Sequence, residues 1–112
     1  MLKLVKITPY PKGHTYKYCA SFKHGTRSIH TNFGRQPYED YTIHKNKKRR
    51  NAYIRRHLKD LRTNDPTRAG YLSMFILWNK TSLTSSIRDY KKRLETYNNS
   101  QDHIFPIEIT GF

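Results

Sequence analysis

Hydrophobic and polar positions change period near residue 35, and the change divides the chain into a β half and a helical half. In residues 2–8, Leu2, Leu4, Val5 and Ile7 are interleaved with Lys3 and Lys6, the period-two signal of a half-buried strand. Pro9-Tyr10-Pro11-Lys12-Gly13 ends it. Residues 15–22 are rich in β-formers and set Tyr16, Tyr18, Ala20 and Phe22 on one face. Lys23-His24-Gly25-Thr26 predicts a hairpin turn in which Gly25 supplies a positive φ. Residues 27–33 return with Ile29 and Phe33 on one face, so short connections join three strands into an antiparallel meander over 1–34.

After Gly34, residues 35–40 read as a linker, and Thr42 is the expected N-cap of a long helix over about 43–62, with Glu39 and Asp40 near its positive end. Ile54, Leu58 and Leu61 recur at i, i+4 and i+7, flanked by Tyr53 and His57, so the apolar stripe covers only the second half of that helix. Residues 64–70 break the pattern. Residues 71–78 are then apolar nearly all round and predict a short central buried helix, with Trp78 as a core anchor. The last helix, 82–97, carries Leu83, Ile87, Tyr90, Leu94 and Tyr97 on one stripe, with Thr81 or Ser82 as its cap and Asp89 paired with Arg93 four residues on. Residues 103–112 alternate apolar positions again and suit an edge strand or a contact with a neighbouring molecule. The expected fold is α+β: a small N-terminal antiparallel sheet of about three strands, then three helices, in one domain over 1–97 (helical part 41–97), with an extended C-terminal tail at 98–112.

Composition narrows the partner more than the fold. A chain of 112 residues encloses one modest core. Its 35% hydrophobic and 13% aromatic content argues for folding despite a net charge of +14, from 22 Lys+Arg against 8 Asp+Glu. A single cysteine, Cys19, rules out an internal disulfide and paired-cysteine zinc sites. The longest apolar run, residues 74–78, is far below the roughly 20 residues a membrane span needs. The first residues alternate instead of forming a continuous apolar stretch, so no secretory signal is expected. The expectation is a soluble chain that seeks an acidic partner.

That charge is concentrated. Lys45, Lys47, Lys48, Arg49, Arg50, Arg55, Arg56, Lys59 and Arg62 fall on the one predicted helix, opposed there by Asp60. Its first two turns are basic nearly all round, a poor match to a core and a good match to an anionic groove. Nucleic acid and an acidic protein wall, such as the face of a capsid lattice, would be held by the same residues. Asn46, Asn51, Arg50 and Arg55 are available for base reading, but availability is not a signature. Tyr16, Tyr18 and Phe22 beside Lys17 and Lys23 have the composition of a base-stacking surface, although alternate aromatics on a small sheet normally pack under helices.

Catalysis finds little support. His44 and His57 are thirteen residues apart, about 20 Å along one continuous helix, too far to share a metal. His14, His24 and His30 have neither a cysteine pair nor a carboxylate cluster beside them in the sequence. Most of the carboxylates have local structural explanations, and there is no nucleophile elbow or Gly-rich phosphate loop. The expectation is a non-enzymatic protein with no metal, cofactor or small-molecule substrate; a nuclease using His44 or His57 is the remaining catalytic reading.

The residues Tyr41-Thr42-Ile43-His44-Lys45, Arg49-Arg50, Tyr53-Ile54, Arg56-His57, Ala69-Gly70-Tyr71, Ile76-Leu77-Trp78-Asn79-Lys80 and Ser86-Ile87-Arg88-Asp89-Tyr90 form a pattern that resembles a family of small basic proteins of unknown function in large double-stranded DNA viruses of algae and amoebae. The resemblance covers roughly 30–94 and departs at Leu72, where the family pattern carries a bulky aromatic. It implies a viral setting and a virion location, with synthesis in the host cytoplasm or nucleus, but no activity. Two roles follow: a minor capsid protein bridging other capsid proteins on the inner face of the shell, or a nucleic-acid-binding protein for packaging or regulation through the basic helix 43–62. The apolar tail favours the first.

Overall fold

The computed structural model describes residues 1–99. Three antiparallel strands, β1 (Leu2–Pro9), β2 (Tyr16–His24) and β3 (Arg27–Arg35), lie in the order β1-β2-β3. Four α-helices follow: α1 (Tyr41–His44), α2 (Lys47–His57), α3 (Ala69–Leu72) and α4 (Leu83–Asn99). A 3-10 segment, Leu58–Thr63, extends α2, and a π-helical turn, Ser73–Leu77, extends α3. The α+β expectation holds, with four α-helices in place of three. The tail expected at 98–112 lies outside the described residues except for Asn98 and Asn99, which belong to α4.

In β1 the strict alternation fails at one point for a structural reason. Leu4 pairs with Phe22 and Lys6 with Ser21, so Val5 is an extra residue in a bulge. The bulge resets the side-chain parity: Leu2, Leu4 and Ile7 all pack on the core, while Val5 is 53% exposed. At the β2–β3 turn Gly25 has φ +64, as expected for a two-residue hairpin loop. On β2, Ala20 and Phe22 are buried, and Tyr18 stacks on Phe33 of β3 at 5.6 Å.

The apolar segment 71–77 is the centre of the core: Tyr71, Leu72, Met74, Phe75, Ile76 and Leu77 are all buried. Its last turn widens so that Trp78 N–H reaches Ser73 C=O five residues back, at 3.1 Å. Gly34 at the end of β3 has φ +71, and a Cβ there would lie 2.8 Å from Leu77 Cδ1, so the sheet and the π turn meet where no side chain fits. Two buried phenols tie the irregular stretch 58–68 to this centre: Tyr71 donates to Leu61 C=O and Tyr90 to Pro66 C=O, each at 2.6 Å.

The stripe predicted for α4 is observed, with Tyr90 and Leu94 buried and Leu83, Ile87 and Tyr97 packed at the core margin. Ser82 Oγ accepts from Ser85 N–H at 3.3 Å, which makes Ser82 the capping residue of the two candidates. Arg93 Nε meets Asp89 Oδ2 at 2.8 Å, the expected i+4 pair. At the other end Asn98 clamps the first strand: its Oδ1 accepts from Leu2 N–H at 3.0 Å and its Nδ2 donates to Leu2 C=O at 2.7 Å. No helix among the described residues is long and apolar enough to cross a membrane.

Candidate polyanion-binding surface

The basic segment is broken where a continuous helix over 43–62 was expected. Asp40, not Thr42, caps α1: it is 2% exposed, its Oδ1 accepts from Thr42 N–H at 2.9 Å and from the Thr42 hydroxyl, and its Oδ2 pairs with Lys17 Nζ at 2.6 Å. One turn later Lys45 adopts the left-handed conformation, φ 56, and α1 stops. Asn46 then caps α2, its Oδ1 accepting from Arg49 N–H at 3.1 Å. The residue types that end one helix and start another, Lys45-Asn46, stand inside a run whose charge hides them.

Within α2, Arg50, Tyr53, Ile54 and His57 share one side at 100° per residue, and Lys48 and Arg55 lie opposite. Lys45, Lys47, Lys48, Arg49, Arg55 and Arg56 are exposed, as are Lys59 and Arg62 on the 3-10 segment. Two carboxylates stand close by. Glu39 meets Arg49 Nη1 at 3.4 Å with both side chains about half exposed, a contact worth little in water. Asp60 is turned to His57 at 3.1 Å. Among the described residues, Lys45, Lys47, Lys48, Arg55, Arg56, Lys59 and Arg62 make no ion pair with a carboxylate.

Arg50 is a correction to the expected contact set. It is 6% exposed, its Nε donates to Asn79 C=O at 2.9 Å, its Nη1 donates to Asn51 Oδ1 at 2.9 Å, and its guanidinium lies 5.7 Å from the Tyr41 ring centre. Burial pushes its pKa down, with Tyr41 opposing the shift. The cause is helical phase: Arg50 is four residues before Ile54 and continues its stripe inward. Leu58, assigned to that stripe, is 42% exposed because the helix tightens to 3-10 geometry there.

Behind α2 the rings of His44, Trp78, Tyr53 and His57 form one ladder. Their successive centroid separations are 5.2, 4.2 and 4.1 Å, and Trp78 and Tyr53 are parallel within 4°. The separation of about 20 Å expected for His44 and His57 assumed one unbroken helix; the break at Lys45 brings both onto the same ladder. Trp78 is half-buried at the core margin, where it braces α2 against the π turn. His44 Nδ1 accepts from Asn46 N–H at 2.9 Å, which puts the ring proton of the neutral form on the buried Nε2. Burial, reinforced by Arg49, lowers the His44 pKa, and burial with Asp60 raises that of Tyr53 to about 12.

The other histidines are dispersed. His14 stacks on Tyr10 at 3.9 Å, and His30 Nδ1 lies 3.1 Å from Ser21 Oγ, its cross-strand neighbour. Among the described residues no three of His, Cys, Asp and Glu converge in a way that could hold a metal ion. The described surface offers fixed cations on a braced scaffold, an arrangement suited to holding anions.

The first turn of α2 contains Lys47, Lys48 and Arg49 and no acid. Cations at a helix N-terminus oppose the macrodipole and one another, each at about 0.3–1 kcal/mol when exposed at low salt. The fold therefore carries this charge at some expense to its own stability.

Residues 5–57 match the model of a family of unknown function, DUF5754. The match runs from within β1 to the end of α2 and so takes in most of the sheet and the first part of the basic surface. No curated protein and no solved structure matches the chain.

Proposed function

We propose that this chain is a non-enzymatic structural protein of a large double-stranded DNA virus particle, a minor capsid protein that bridges capsid components on the inner face of the shell. Lys45, Lys47, Lys48, Arg49, Arg55, Arg56, Lys59 and Arg62 are its contact with an acidic partner surface, and Arg50 supports that contact from beneath. The observation that carries the reading is the concentration of exposed, largely uncompensated cations on one braced element, in a chain whose sequence resembles viral proteins. The test is fractionation of purified, nuclease-treated particles. The protein stays with the shell after genome release if the reading is right; its absence from the particles overturns it.

A second reading, nucleic-acid binding for packaging or regulation, is favoured by the same surface because Lys48 and Arg55 project from the side of α2 farthest from the core, where phosphates can reach them. Eight phosphate contacts would give a slope of log affinity against log salt of about −7. Co-release with the genome supports this reading over the first.

A further inference from the structure

The edge of β1 and the last two turns of α4 enclose an apolar groove of about 570 Å³, lined by Leu2, Leu4, Val5, Lys91, Leu94 and Asn98. β1 pairs only with β2 in the described sheet, so its outer edge presents backbone donors and acceptors beside that groove. We propose that the groove is the seat of the chain's own C-terminal segment, with residues 104–109 adding a fourth strand along the outer edge of β1.

Four observations carry this. First, α4 ends at Asn99, one residue past Asn98, whose side chain is bonded to the backbone of Leu2; residues 100–112 therefore leave α4 at the groove's Leu2 end. Second, at no more than about 3.5 Å per residue, the four residues 100–103 are enough to turn onto the strand edge, and residues 104–109 then run along β1 past Val5. Third, Phe105, Ile107 and Ile109 share one parity. A register in which their backbone groups face β1 leaves Pro106, which lacks an N–H, and Glu108 facing outward, the edge position that proline tolerates. Fourth, residues 100–112 contain Asp102 and Glu108 and no Lys or Arg, whereas the groove's rim carries exposed Lys3 and Lys91. The seated segment would cover Val5, a large apolar side chain that the described fold leaves exposed.

The test places a nitroxide at Thr110→Cys in the full chain, with Cys19→Ser so that one thiol is present, and follows amide signals of an isotope-labelled sample. With the label on the observed chain, diluted into unlabelled chain, the signals of Leu2–Val5 and Lys91–Asn98 are expected to be lost and to return on reduction of the nitroxide. Retention of those signals overturns the proposal. Loss seen only when the nitroxide is on a different chain from the observed one also overturns it, since the occupant is then a neighbour's tail. A second measurement leaves Cys19 untouched: hydrogen exchange of the natural chain against Phe105→Asp. Faster exchange confined to β1, with β2–β3 amides unchanged, supports the seat; equal exchange throughout contradicts it.

Discussion

Arg50 and Arg55 lie five residues apart on α2 and do opposite things. Arg50 satisfies the Asn79 carbonyl from inside the fold; replacing it with Met leaves that acceptor unpaired, and denaturant unfolding is expected to show a loss of about 1–3 kcal/mol. Arg55→Ala, on the exposed side, should leave unfolding within about 0.5 kcal/mol while weakening capture by an acidic polymer. His44 supplies a pH signature. Its folded-state pKa is lowered from the ordinary 6.5 by burial first and Arg49 next, with Glu39 and Asp40 opposing and Lys17 adding to the fall. The unfolded chain therefore binds the proton more readily, and the stability due to His44 is fully present above 6.5 and lost as pH falls below it toward the folded value. Unfolding midpoints measured from pH 8 down to 5 should decline, and His44→Phe should flatten that decline.

At the scale of elements, the broken basic helix sets charge against stability. Lys47→Glu with Lys48→Glu removes two cations from the first turn of α2 and places acids near its positive end. Each change should stabilise the fold by about 0.3–1 kcal/mol at low salt, with the gain fading as salt rises, while partner binding falls. A double variant that loses both stability and binding would contradict the assignment of these residues to the surface. Much of this element was legible in sequence: the density of charge, the inward stripe through Ile54 and Leu61, and the carboxylates ahead of it. The break was not, because Lys45 in a left-handed conformation and Asn46 as a cap are single-residue events inside a uniformly basic run. The buried position of Arg50 could have been read by extending the stripe four residues back from Ile54, since phase holds whatever the side chain's charge.

At the scale of the whole molecule, period-two and helical patterning were enough to place three strands, the buried segment 71–77 and α4, because each has a one-sided apolar pattern that long-range packing only reinforces. The aromatic ladder and the Lys17–Asp40 pair were not accessible in this way: both join residues from distant parts of the chain, and their partners are chosen by three-dimensional proximity. Gly34 is another such case. Its φ of +71 and the 2.8 Å that would separate an added methyl from Leu77 Cδ1 predict that Gly34→Ala destabilises the chain by about 1–3 kcal/mol in thermal or denaturant unfolding, by separating the sheet from the π turn without touching any basic residue.

The central claim is that the exposed cations of α2 and its 3-10 extension hold the protein in the particle. The direct measurement is the copy number per purified particle for a virus carrying Lys48→Glu, Arg55→Glu and Arg56→Glu, against the natural chain, with folding of the variant verified in isolation. The account predicts that the natural protein stays with shells emptied of genome and that the variant is depleted from them. Equal copy numbers of the two in emptied shells would contradict it.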